Sequence, residues 1–211
     1  MRQDRLARFA PLAGVVFVVL IVLAIVIGGE TPDNSDSAQE IGRFWKENDS
    51  EQMLSALIGA WSLIFFIWFA ASVRSVLRRT EDGPARLSAT SFAGAVIAAV
   101  GLLIALSLTF AIADGADELT PDALKTLTVL SNGVFLPIAV GFALFFIATG
   151  ILAVRSRLLP AWLGWVTIVL GIVCVTPAGF FALLVGLVWV LVVSVMLYRG
   201  TPTTAGRAAA G

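Results

Sequence analysis

The chain has 211 residues, 59% of them hydrophobic and only 13% charged, with fourteen basic and fourteen acidic side chains and no net charge. A soluble domain carries about 25% charged residues and at most about half apolar ones, so this composition excludes an ordinary water-soluble globule. The absence of histidine excludes imidazole metal ligands, haem ligation and histidine-based triads.

In chain order, Arg2, Arg5 and Arg8 precede a first apolar run at about 10–27. The run leads into Ile27-Gly28-Gly29-Glu30 with no small-x-small cleavage site, which predicts an uncleaved span rather than a removed signal peptide. Next, Ser37-x-x-Glu40 matches a capping box, and Ile41, Phe44 and Trp45 follow at i, i+3, i+4. This pattern predicts a short amphipathic helix at about 37–47, lying on the outer headgroups with Trp45 at the interface. A lid or a partner-docking element is the functional alternative.

The second span, about 53–73, is rich in aromatics. Trp61, Phe65, Phe66, Trp68 and Phe69, together with Trp189 further on, are expected to face lipid or a second subunit. Arg74, Arg78 and Arg79 follow, then the turn Glu81-Asp82-Gly83-Pro84, with Pro84 expected to open the next helix. The third span, about 88–113, carries Ser91, Gly94, Ala98, Gly101 and Ala105 at steps of three and four. Such a small-residue stripe lets membrane helices approach closely. With Gly141 on span four and Gly164 and Gly171 on span five, it predicts a tight centre built from spans three, four and five.

Thr120-Pro121-Asp122 is a strong helix start: a capping hydroxyl, proline at the first position and an acid at the positive dipole end. The fourth helix should therefore begin well before its apolar run at about 127–154. Pro137 removes an N–H and crowds the carbonyl of Gly133, beside Asn132. Counting about 20 residues outward from Arg155 puts Asn132 at the outer interface. Asn132, Gly133 and Pro137 are read as a kink with a polar collar at an outer vestibule. Pro160 should open the fifth span, about 161–176, with Trp162 and Trp165 as interfacial anchors; the sixth runs from about 180 to 198. "FFIWFAASVRS" (65–75) echoes "FFIATGILAVRS" (145–156), and both run from outside to inside. Cys174, the one cysteine, lies in an apolar run and reads as a small buried hydrophobe.

Lipid offers backbone groups no water, so the apolar runs must be helices. The fold class is all-α: a polytopic bundle of six transmembrane helices forming one domain, 1–200, followed by a disordered tail, 201–211. Eleven of the fourteen basic residues fall at the N-terminus, the second and fourth connections and the C-terminus. The opposite side holds Arg43, Lys46 and Lys125 with eleven acids. The positive-inside rule places both termini in the cytoplasm. Arg74, Arg78, Arg79 and Arg155 then become candidate contacts for anionic lipid headgroups.

No Asp, Glu, Lys or Arg lies in the middle of any span, which argues against proton relays, voltage sensors and intramembrane acid–base catalysis. The span hydroxyls Ser62, Ser72, Ser91, Ser107, Thr149, Thr167 and Ser194 have no visible activating base and are expected to bond backbone carbonyls one turn back. No enzyme activity, cofactor, metal or nucleic-acid partner is expected. The six-span layout, the arginines after span two, and Pro160, Trp162, Leu163, Gly164 and Gly171 at the entry to span five resemble a loose group of uncharacterised bacterial six-helix membrane proteins, classed as a domain of unknown function. The resemblance implies a bacterial cytoplasmic (inner) membrane and no mechanism. The expected function is binding of a lipid, an amphiphile or a partner membrane protein. A passive channel or carrier for a small or neutral solute, as a homo-oligomer if need be, is the alternative.

Overall fold

The structure is a computed structural model that describes residues 10–81, 83–156 and 160–200. Arg2, Arg5, Arg8, Arg157, Arg207 and the 201–211 tail lie outside the described residues. A 3-10 turn at Ala10–Leu12 leads into α1, Ala13–Gly28. Then come α2, Ala38–Glu47; α3, Asp49–Arg78; α4, Arg86–Asp114; α5, Pro121–Gly133; α6, Phe135–Ser156; α7, Ala161–Cys174; and α8, Gly179–Gly200. Five stretches are long and apolar enough to cross a membrane: Ala10–Gly28, Asp49–Arg78, Arg86–Asp114, Pro121–Ser156 and Gly179–Arg199. The apolar helix α7 has only 14 residues. With their exposed apolar belts, these helices make the chain a membrane-embedded protein.

Six helices, α1, α3, α4, α6, α7 and α8, stand in a circle in chain order, and α8 closes it against α1. Large side chains fill the middle. Phe66 lies 5.0 Å from Phe17, 5.5 Å from Phe142 and 6.0 Å from Phe145, centre to centre. Trp189 meets Phe145 and Phe146 edge-on at 5.8 and 5.2 Å. Edge-to-face pairs suit the ring quadrupoles and add to the packing. The expectation that Phe66, Phe69 and Trp189 face outward is therefore overturned: all three are buried. Trp61 and Trp68 do point outward, 65% and 63% exposed. Trp68 and Phe69 are adjacent on one aromatic-rich stretch yet face out and in, and only the neighbouring helices choose between the two directions. The two echoing segments, on α3 and α6, both supply phenylalanines to this centre.

Backbones approach most closely at the α4–α6 and α6–α7 contacts. A Cβ added at Gly94 would lie 2.5 Å from the Phe145 nitrogen, and one at Gly141 would run into the Ala98 nitrogen. At Gly101 it would sit 3.0 Å from the Ile138 nitrogen. At Gly164 and Gly171 it would meet the branched carbons of Val154 and Ile147, each at 2.6 Å. Gly150, which the sequence reading did not single out, is equally closed by Ile168 at 2.6 Å.

Two helix starts differ from expectation. Pro84 does not open α4: Ala85, in the left-handed region at φ 51°, precedes it, and the helix begins at Arg86. The Glu81 carboxylate is the reason, since it accepts from the N–H groups of Leu87 (2.8 Å) and Ser88 (3.0 Å) at the helix N-terminus. Pro160 is the residue before α7 rather than its first.

Candidate functional site

The polar and irregular features gather at the two ends of the bundle. At the end carrying the acids, α2 and α5 form a cap. Its first helix starts with a complete capping box: Ser37 Oγ accepts from the Glu40 N–H at 3.2 Å, and Glu40 Oε2 accepts from the Ser37 N–H at 3.0 Å. The hydrogen bond from the Ser37 side chain, and then that from its backbone, hold the Glu40 carboxyl below its usual range. Thr120 caps α5 by accepting from the Ala123 N–H, with Pro121 at the first position.

The apolar face of α2 does not lie on headgroups. Ile41 and Trp45 are buried in a small core of their own with Ile112, Ala113, Ala116 and Leu124. Trp45 Nε1 donates to Thr128 Oγ1 of α5 at 2.9 Å, and the Thr128 hydroxyl donates in turn to the Leu124 carbonyl. The placement of Trp45 at the membrane interface is thus corrected. The same stripe that suits an interface suits a facing helix better here, because α5 offers both apolar contact and an acceptor for the indole N–H. Gly42 lets the Pro121 ring come close: an added Cβ would lie 3.2 Å from it. Two further ties bind the 29–37 connection to α5. Lys125 Nζ donates to the Asp36 carbonyl at 2.8 Å, and Asn132 Nδ2 to Asn34 Oδ1 at 2.7 Å.

The chain turns at Val134, between α5 and α6, where the Val134 N–H bonds the Ser131 carbonyl at 3.1 Å. The missing N–H of Pro137, four residues beyond Gly133, accounts for a break at this place. Asn132, Gly133 and Pro137 all lie on the exposed side of this elbow, and nothing stands within 4 Å of a Cβ built on Gly133. At the same end, α1 is tied to α3: Gln52 Nε2 donates to the Gly28 carbonyl at 2.6 Å and Ser55 Oγ to the Ala24 carbonyl at 2.8 Å. The first of these bonds occupies a carbonyl that the end of α1 leaves without an intrahelical partner. Gln52, a buried polar residue at the start of span two, was passed over in the sequence because its partner is 24 residues away.

The hydroxyls of the long helices are mostly occupied. Ser62, Ser72, Ser107 and Thr167 donate to carbonyls three or four residues back. Two pairings depart from that pattern. Ser91 and Thr149 bond each other across the α4–α6 contact at 2.8 Å, and Thr167 also accepts from Trp189 Nε1 at 2.7 Å. Ser194 Oγ is buried against Gly14 with no hydrogen-bond partner. Among the described residues no three His, Cys, Asp or Glu side chains come together as a metal-holding group.

At the other end, Arg74 lays its guanidinium over the Phe92 ring of α4, 5.3 Å from the centroid. Arg78 Nη1 donates to the Glu81 carbonyl at 3.1 Å. Burial of the Glu81 carboxyl opposes its ionisation, but the N–H groups of Leu87 and Ser88 outweigh that and hold it below its usual range. Arg79, Arg86 and Arg155 are exposed. Among the described residues, no carboxylate lies within ion-pairing distance of Arg74, Arg79 or Arg86.

A sequence model described as Domain of unknown function (DUF4386) matches residues 12–198, so the chain belongs to that family. No curated protein and no solved structure matches the chain.

Proposed function

We propose that this DUF4386 protein is a non-enzymatic protein of the bacterial cytoplasmic membrane that binds a lipid, an amphiphile or a partner membrane protein. It crosses six times, with both termini in the cytoplasm. In this topology the arginine-bearing connections face inward and the α2–α5 cap outward. Helix α7 supplies the sixth crossing: at about 1.5 Å per residue it reaches roughly 21 Å. Its link to α8, Val175-Thr176-Pro177-Ala178, carries no charge and can lie below the headgroups.

The observation that carries the binding reading is the filled centre. Phe66, Phe69, Phe142, Phe145, Phe146 and Trp189 close the middle of the helix circle. The interior hydroxyls of Ser91, Thr149 and Thr167 are occupied by one another, by Trp189 and by a carbonyl, so they line no wetted path. Groups that can recognise a ligand remain at the ends: the cap and the elbow at Asn132, Gly133 and Pro137 outside, the arginines inside.

Flux through the reconstituted protein decides between binding and passage. Liposomes holding the purified chain should release ions and small neutral solutes no faster than empty ones. Sustained release of any member of that panel would establish the channel or carrier reading instead. Reporter fusions within residues 74–87 should report a cytoplasmic location, and an external one would reverse the topology.

A further inference from the structure

We infer that the α3–α4 connection binds the phosphate of an anionic phospholipid of the inner leaflet, through the guanidinium groups of Arg74, Arg78, Arg79 and Arg86. This rests on the lipid-binding reading above and names its headgroup and its face.

Four arginines fall at one end of the bundle because the chain doubles back within a short loop. Gly83 at φ 80° and Ala85 at φ 51° both take left-handed conformations and make the reversal. Arg86, the first residue of α4, thereby returns to the bundle end where α3 finishes at Arg78. Arg74 and Arg78 are one helical turn apart on the same side of α3. Both are pinned by partners that leave their charge in place: Arg74 by the face of Phe92, Arg78 by the Glu81 carbonyl. A pinned guanidinium has already lost much of the side-chain freedom that binding would otherwise take away.

The described acid of the loop spends its hydrogen bonds elsewhere. Both Glu81 carboxylate oxygens accept from the start of α4, at 2.8 and 3.0 Å, so its hydrogen bonds go to the helix N-terminus and not to a guanidinium. The loop as a sequence still carries four arginines against Glu81 and Asp82. Planar guanidinium forks match phosphate oxygens in pairs, which an ammonium does not.

The surface beside the cluster selects a lipid over a soluble phosphate. Ala71 lies one turn along α3 from Arg74, and Ala89 and Val96 lie one turn either side of Phe92 on α4; all three are exposed and apolar. A phosphate held at Arg74 thus has small apolar surface directly beside it, along which acyl chains can lie. A soluble anion has no use for that surface.

The test is thermal unfolding of the full-length protein in detergent with added phosphatidylglycerol or phosphatidylcholine of the same chains. Phosphatidylglycerol should raise the Tm more than phosphatidylcholine, and high salt should shrink the difference. The double variant Arg79→Gln with Arg86→Gln, whose side chains make no hydrogen bond or ion pair with a described residue, should lose most of the difference. Arg74→Gln with Arg78→Gln should abolish it; Arg43→Gln on the opposite face should leave it intact. Glycerol phosphate at millimolar concentration should give no shift. An anionic-lipid gain that survives both double variants would overturn this site while leaving lipid binding standing. Equal, negligible effects of both lipids would overturn the lipid-binding reading itself. A glycerol-phosphate shift matching that of the lipid would make the ligand a soluble phosphate.

Discussion

The helix circle and the α2–α5 cap are held together by different means. The circle joins its helices by shape: backbones touch at Gly94, Gly141 and Gly164, and seven large aromatics fill the middle. Lipid is as apolar as leucine, so burying a leucine between two membrane helices removes nothing from water, and fit is what separates one packing from another. The cap has a core of six buried residues, Ile41, Trp45, Ile112, Ala113, Ala116 and Leu124. In water that burial does stabilise, but the core is small, and bonds from Trp45, Lys125 and Asn132 add direction to it. The contrast is between a region that depends on close approach and one that depends on a handful of named side chains.

The contrast breaks most visibly at Gly141. Gly141→Leu forces a side chain into the Ala98 backbone, which no rotamer relieves, and should cost on the order of 3 kcal/mol. Thermal unfolding in detergent should show a large fall in Tm or loss of folded protein. An unchanged Tm would mean that the α4–α6 contact is not what holds the circle. Trp45→Phe acts on the other region. It keeps most of the apolar contact and removes the donor to Thr128, a loss of about 1 kcal/mol. Hydrogen exchange should speed up across 38–47 and 121–133 together, with the amides of α4 and α6 below the cap unmoved. Faster exchange in 38–47 alone would show that the two helices do not act as one layer.

The smallest effect is a titration. Folding depresses the Glu40 and Glu81 carboxyls below their usual value of 4.5. A depressed carboxyl contributes its stability in full above that value and loses it as the pH falls through the lowered one. Acidification below the carboxylate range should therefore fray the start of α2 at Ser37 and the start of α4 at Leu87 and Ser88, seen as faster exchange of those amides. Among the described residues the buried polar side chains are Gln, Ser and Thr only, so the aromatic centre should not respond. A Tm that fell in step with the fraying would tie the two regions more tightly than their contacts do.

Much of the local structure was legible because it is written in adjacent residues. Ser37 and Glu40 are three apart, as are Thr120 and the amide of Ala123 that it caps; such signals need no tertiary partner. The break beside Gly133 follows from a proline four residues on. The candidate ends of the molecule were legible in part. The arginines were visible as a cluster, but the claim of α4 on the Glu81 carboxylate was not, since it depends on a left-handed residue at Ala85. Gln52 and the Ser91–Thr149 pair were invisible for a plainer reason: their partners are 24 and 58 residues away.

By itself the sequence determined the class, a helical membrane protein, because too few polar residues exist to cover a soluble surface and unpaired backbone is not tolerated in lipid. It also determined the starts of α2 and α5. Tertiary structure alone decided which aromatics turn inward and what α2 rests upon. Along a helix that is apolar all round, periodicity carries no inside or outside, since lipid and protein neighbours are alike in polarity; Trp68 faces out and Phe69 faces in. The stripe of Ile41, Phe44 and Trp45 fits a membrane surface or a facing helix equally well by composition. What settled it was an acceptor, Thr128 Oγ1, which the fold brings to the Trp45 indole from 83 residues away.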